Sequence, residues 1–183
     1  GVVCEAVSGM RNLTGDPDRP AARVAVSLTD EITGTYAAYG VALAILHKHA
    51  TGEGQCIDAA LYECAFSYME PYVPAYEKTG FIPMRQGGRL PNSTPNNHYP
   101  TKDNQYIHIA AGNMPIWRRL TKVMGREDLL SDPRLPDQVA LNAHEDEIDE
   151  IVGAWTEKHS VEDLEAALED AAVPAARIYT MED

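Results

Sequence analysis

With 183 residues, 44% of them hydrophobic, the chain is long enough for one ordinary domain, or one and a half small ones, around a real core. Its net charge of −13, from 28 acidic against 15 basic residues, leaves no basic footprint for nucleic acid or for an anionic membrane surface. Three cysteines, Cys4, Cys56 and Cys64, are odd in number and lack CxxC spacing, which favours a reduced, cytoplasmic setting over a disulfide scaffold; no zinc motif, signal peptide or membrane-length apolar run is present.

An apolar segment ends at Ser8-Gly9 and gives way to a polar turn cluster, Thr14 to Pro20. The short apolar run Val24 to Leu28 reads as a buried strand. Thr29 is the expected N-cap of a helix whose spacing runs from Ile32 to Leu46 and which ends near His49, with Gly52 beyond it. Gln55 to Leu61 has strand character. Tyr62 to Lys78 reads as an aromatic-rich helix that Pro71 and Pro74 must kink or break. Residues 79–97, rich in Gly, Pro, Asn and Arg, read as a mobile or substrate-covering loop.

Beyond that loop, residues 97–101 and 105–111 flank Lys102-Asp-Asn104, a hairpin turn. Helices are expected over Pro115 to Met124, with Asn113 ahead and Gly125 behind, over about Asn142 to Lys158, and over Val161 to Ala171, where Ser160 and Asp163 resemble a capping box. A last strand falls at Ala176 to Tyr179. The fold class is α+β, a mixed α/β chain: residues 1–96 form part of a larger domain with a linker loop, and residues 97–183 a small α+β domain with a hairpin and several helices.

Asp30 is the candidate catalytic residue. It falls where the expected strand yields to the helix, and there unpaired N–H groups and the positive end of the helix dipole favour an ionised carboxylate. Other candidates carry less. His47 and His49 do not share a helix face, and His98 and His108 face each other across the hairpin without a third ligand, so no metal is expected. Gly52-Glu-Gly54 precedes a strand-like run where a dinucleotide fingerprint would open a helix, and no Gly-x-Ser-x-Gly elbow occurs. Cys56 and Cys64 read as core thiols.

The run Asp30-Glu-Ile-Thr-Gly34 followed by Thr51-Gly-Glu-Gly-Gln-Cys-Ile-Asp58 resembles the family III CoA-transferases of CaiB/BaiF type, the group of formyl-CoA and crotonobetainyl-CoA:carnitine transferases that also contains the alpha-methylacyl-CoA racemases. Tyr99 to Asn113, Trp117, Asp132-Pro-Arg-Leu135 and Val173-Pro174 continue the resemblance in order along nearly the whole chain. It implies a central piece of a longer enzyme, inactive alone, whose CoA contacts lie mostly elsewhere. It also implies acyl-CoA and a carboxylic acid as substrates, no permanently bound cofactor, and an interlocked homodimer.

By that resemblance Asp30 forms an aspartyl-CoA thioester, and a Gly-rich loop at Arg85, Gly87, Gly88 and Arg89 covers the site, its arginines meeting a substrate carboxylate. A 2-methylacyl-CoA racemase or epimerase is the alternative activity. Against it, Gly1 and Met114 stand where that branch places acids. A folded fragment or oligomerisation module without activity is the alternative from another class.

Overall fold

The computed structural model describes all of residues 1–183, which divide into two compact units, Gly1–Gly87 and Gly88–Asp183. The boundary expected from sequence, between residues 96 and 97, falls inside the second unit.

The first unit is helical. Helix α1 (Val2–Val7) is followed by a 3₁₀ turn (Met10–Leu13) that begins after Gly9, whose φ of 86° lies in the left-handed region. The long α2 (Leu28–Thr51) ends at Gly52, also left-handed, whose N–H bonds the Lys48 carbonyl. Helix α3 (Leu61–Phe66) passes through a 3₁₀ turn into α4 (Tyr72–Thr79), with Pro71 as N-cap. The expected break at Pro71 is there because proline removes a backbone donor while suiting a helix start.

Two expected strands are absent. Val24–Leu28 and Gln55–Leu61 form no strand, since a strand needs a neighbouring edge and no strand lies anywhere in residues 1–87. Val26 is exposed, and the helix starts earlier than expected, at Leu28 with Ser27 as N-cap. Thr29 is therefore no cap. It lies inside the first turn and is fully buried.

The second unit wraps helices around an antiparallel sheet of order β1-β2-β3. Strands β1 (Asn96–Pro100) and β2 (Tyr106–Ala110) form the expected hairpin, with His98 opposite His108 and Asn104 at φ 58° in its turn. Strand β3 (Ala175–Arg177) pairs with β2. Period-two alternation sends Ile107 and Ile109 into the core.

The helices meet that sheet face at helical spacing. Helix α5 (Met114–Met124) buries Trp117, Leu120, Thr121 and Met124, capped by Asn113 Oδ1 accepting from the Ile116 N–H at 3.0 Å and closed by left-handed Gly125. A 3₁₀ turn (Glu127–Ser131) and the short α6 (Gln138–Ala143) lead to α7 (Glu145–Thr156), so the single helix expected from Asn142 is split at His144. Helix α8 (Val161–Asp170) starts on half of the expected capping box: Ser160 Oγ accepts from the Asp163 N–H at 3.2 Å and donates to its carboxylate at 2.7 Å, but the Asp163 side chain does not reach back to the Ser160 N–H. Each fully buried apolar side chain here contributes about 1.5–3 kcal/mol.

Candidate functional site

The start of α2 is fixed by two buried side chains and leaves a third open. Thr29 and Ile32 pack inward, whereas the Asp30 side chain is 50% exposed. The Ser27 carbonyl accepts from the N–H groups of both Asp30 and Glu31, at 3.1 and 3.0 Å. Thr33 donates its hydroxyl to the Thr29 carbonyl at 2.7 Å, which closes the first turn from the side. Asp30 thus projects from the anchored end of a helix whose later turns expose Tyr39, Val41, Ile45 and Leu46.

The carboxylate itself is lightly engaged. Its Oδ2 accepts one side-chain hydrogen bond, from Thr29 Oγ1 at 3.3 Å. The backbone of Gly1 lies beside it, close enough that a Cβ there would fall 2.6 Å from Oδ2. A half-exposed carboxylate with one weak partner keeps lone pairs free for nucleophilic attack.

The two loop arginines are occupied. Arg85 donates to the Asn12, Asp16 and Arg19 carbonyls at 3.1, 3.2 and 3.2 Å and to Asn12 Oδ1 at 3.3 Å, tying residues 85–87 to the 12–19 segment. Gly87 completes that tie, its N–H bonding the Gly15 carbonyl at 3.0 Å with φ at 62°. In the second unit Gly88 sits against the His98 ring, too close for a side chain. Arg89 is clamped by Asp149 at 2.6 Å, Asp146 at 2.7 Å and Glu145 at 3.5 Å. Burial works against its charge, but the hydrogen bonds to Asp149 and Asp146 outweigh that and hold the guanidinium above its ordinary range.

Asp149 is the centre of that cluster, and sequence reasoning missed it. It accepts from Arg89, from Asn97 Nδ2 at 2.9 Å and from the Tyr99 hydroxyl at 2.6 Å. Burial, then the Asp149 charge, push the Tyr99 phenol far up, so it stays a neutral donor. Also unforeseen is the pair Glu5–Arg11: Glu5 is 1% exposed and accepts from Arg11 Nη2 at 3.1 Å. An acid inside the apolar run Val2–Val7 was the available signal.

His98 and His108 do meet across the hairpin, yet His108 Nε2 bonds Asn96 Oδ1 at 2.9 Å and no third metal-ligating group joins them. An apolar groove of about 280 Å³ in the first unit is lined by Phe66, Met69, Tyr72, Tyr76, Phe81 and Ile82 among others. No helix is long and apolar enough to cross a membrane.

Comparison with known proteins places this geometry in context. The family model for CoA-transferase family III matches residues 1–183. A succinyl-CoA–D-citramalate CoA-transferase of Chloroflexus aurantiacus is 38% identical over 183 residues, covering 100% of this chain and 46% of that protein. A succinate–glutarate CoA-transferase of Agrobacterium fabrum is 32% identical, over 99% of this chain and 45% of that protein. Among solved structures, a CaiB/BaiF family protein from Brucella suis superposes with a TM-score of 0.84 at 29% identity, covering 99% of this chain and 48% of that one. The chain spans about half the length of the curated relatives it matches.

Proposed function

The chain belongs to CoA-transferase family III, and we propose that Asp30 is the nucleophile through which CoA passes from a donor acyl-CoA to an acceptor carboxylic acid. The observation that carries this reading is the Asp30 carboxylate itself, half-exposed at the anchored mouth of α2 with a single weak hydrogen-bond partner. The relatives named above act on succinyl-CoA, citramalate, succinate or glutarate, which supports a short dicarboxylic acid as donor or acceptor here too.

The chemistry balances without an added proton. An Asp30 oxygen attacks the donor thioester carbonyl, the carbon–sulfur bond breaks, and CoA leaves as thiolate with a mixed anhydride on Asp30. The thiolate attacks the aspartyl carbonyl carbon and expels the donor carboxylate, leaving an aspartyl-CoA thioester. The acceptor carboxylate attacks that thioester and expels the thiolate, forming a second anhydride. The thiolate then takes the acceptor acyl group and returns Asp30 to its starting carboxylate. Each intermediate needs water excluded, because hydrolysis would end the cycle.

Residues outside this chain supply the CoA nucleotide site in this proposal, consistent with a net charge of −13 and with relatives about twice as long. Cytoplasmic, homodimeric operation is part of the same reading. Arg85 and Gly87 act by tying residues 85–87 to the 12–19 segment, and Gly88 and Arg89 by ordering the start of the second unit, since both guanidiniums are already committed to internal partners.

The test uses a full-length protein carrying these residues, incubated with acyl-CoAs, quenched with hydroxylamine and mapped by mass spectrometry. A hydroxamate on Asp30, absent from Asp30→Asn, is the expected result. Normal turnover by Asp30→Asn would overturn the assignment. So would the absence of any adduct, and solvent deuterium at the acyl alpha carbon would then indicate racemase chemistry.

A further inference from the structure

Within residues 1–87 the guanidinium of Arg11 differs from every other cationic group. Arg85 is saturated by four acceptors, and Arg19 pairs loosely with Asp16 at 3.8 Å on the surface. Lys48 and Lys78 sit in the last turns of α2 and α4, where helix carbonyls suit a cation. Arg23 lies in the exposed loop before α2. Arg11 alone is held by a buried carboxylate: Glu5 receives Nη2 at 3.1 Å, the pair being 1% exposed on the acid side and 31% on the arginine side.

That single hydrogen bond is all the guanidinium makes. Its Nε is buried without an acceptor, and Nη1 bonds nothing. A buried acid that fixes one corner of an arginine pre-organises the remaining donors for a planar anion. The buried Nε without an acceptor is a cost of about 1–3 kcal/mol, and the uncommitted Nη1 is the donor left for an anion.

The position of this arginine relative to Asp30 follows from α1. The Gly1 backbone lies against the Asp30 carboxylate, and the Glu5 N–H bonds the Gly1 carbonyl at 3.0 Å, so Glu5 stands one helical turn farther along. One turn advances the chain by roughly 5–6 Å. Helix α1 thus joins, through one turn, the residue beside the Asp30 carboxylate to the acid that holds Arg11.

From this we infer that Arg11, oriented by Glu5, recognises the distal carboxylate of a short dicarboxylic acid whose other carboxyl group reacts at Asp30. Arg11 is then the specificity residue for the substrate and Glu5 its positioning residue. The inference rests on the transferase reading of Asp30 and adds the group that selects a diacid over a monoacid. It relocates the carboxylate recognition expected at Arg85 and Arg89 to an arginine with donors to spare.

The test measures succinate and butyrate binding by calorimetry to the full-length protein in the presence of CoA, for wild type and Arg11→Gln. It is paired with hydroxylamine trapping after succinyl-CoA or butyryl-CoA. Wild type should prefer succinate, and Arg11→Gln should erase roughly 10- to 100-fold of that preference, its loss for succinate and the succinyl-CoA adduct exceeding any loss for butyrate and the butyryl-CoA adduct by that factor. Because Arg11→Gln leaves Glu5 buried without its partner, the double variant Glu5→Gln/Arg11→Gln must show the same selective loss. Equal binding of the two acids by wild type, a preference that survives both variants, or equal loss for both acids overturns the inference. Arg11-dependent succinate binding without any Asp30 adduct would keep Arg11 as the diacid site and overturn only the covalent role of Asp30.

Discussion

The backbone of Gly1 is in contact with the carboxylate of Asp30: a Cβ on Gly1 would lie 2.6 Å from Oδ2 and 3.3 Å from Thr29 Oγ1. Any side chain at position 1 must therefore displace either the candidate nucleophile or the hydroxyl that steadies it. Gly1→Ala in the full-length protein should slow formation of the Asp30 adduct by roughly 100-fold, the scale expected when a reacting group moves by about 1 Å. Single-turnover trapping measures it, and an unchanged rate would show that the carboxylate tolerates the crowding. An acid at position 1 would place a second negative charge beside Asp30, so glycine also leaves this carboxylate without a like-charged neighbour there.

The Asp149 cluster should matter to the stability of residues 88–183 more than any exposed ion pair. Asp149 accepts three hydrogen bonds, and its side chain is only 12% exposed. Asp149→Ala strands Asn97 and Tyr99, leaves Arg89 with Asp146 and Glu145 alone, and should cost about 3 kcal/mol. Tyr99→Phe removes a donor to a charged acceptor and should cost about 2 kcal/mol. Urea unfolding of both single variants and the double one gives the coupling between them. A loss under ~0.5 kcal/mol for Asp149→Ala would mark the cluster as a surface ornament.

The hairpin histidines give a pH dependence with a defined sign. Burial, then the facing His98, lower the pKa of His108 below its ordinary 6.5. The folded state therefore prefers neutral His108, the unfolded chain binds the extra proton, and stability rises with pH across that interval. This contribution is fully present above about pH 6.5 and is lost as pH falls from there toward the lower folded value. Chemical denaturation between pH 7 and 5 should show the decline, and His108→Gln should flatten it. The carboxylates whose pKa values are lowered by arginine hydrogen bonds, Asp132 and Glu165, lose their contributions only at more acidic pH. A slope identical in His108→Gln would assign the effect elsewhere.

What the sequence could reveal was set by the range of each interaction. The caps at Asn113, Gly125, Ser160 and Gly52 and the break at Pro71 depend on neighbours within a few residues, and the structure has them where the pattern put them. The hairpin at Asn104 is local in the same sense. Val24–Leu28 and Gln55–Leu61 carry the composition of strands, but a strand is completed only by a partner edge that residues 1–87 lack. The position of Asp30 in the first turn of a helix was legible because a helix start is local, although the cap is Ser27 and no strand precedes it; its catalytic role is a proposal suggested by the family resemblance. Gly1 against Asp30 and Asp149 against Tyr99 are contacts distant in the chain, which a single sequence does not encode as a pattern, whereas Glu5 against Arg11 left only the signal of an acid inside an apolar run. The loop arginines at 85 and 89 read as free because their acceptors lie some sixty to seventy positions away in the chain.

Adjacent glycines at 87 and 88 are required for different reasons, and substitution separates them. Gly87 has φ at 62°, a conformation that costs an L-residue about 1–2 kcal/mol, and a Cβ there would also lie 3.0 Å from Asp16 Oδ1. Gly88 has no such backbone constraint; a Cβ there would overlap the His98 ring and come 2.7 Å from Asn97 Oδ1. His98 is exposed and held by an edge-to-face contact with Tyr106 at 5.6 Å between centroids, so its ring can yield by leaving that contact. Gly87→Ala should therefore lower thermal stability whatever its neighbours are. Gly88→Ala should be partly rescued by His98→Ala, which clears the ring and leaves only the Asn97 contact to relax. Melting temperatures of the two single variants and the Gly88→Ala/His98→Ala double variant decide it. If the double variant melts no higher than the sum of its single losses predicts, the ring is not what Gly88 makes room for, and the Asn97 side chain becomes the constraint.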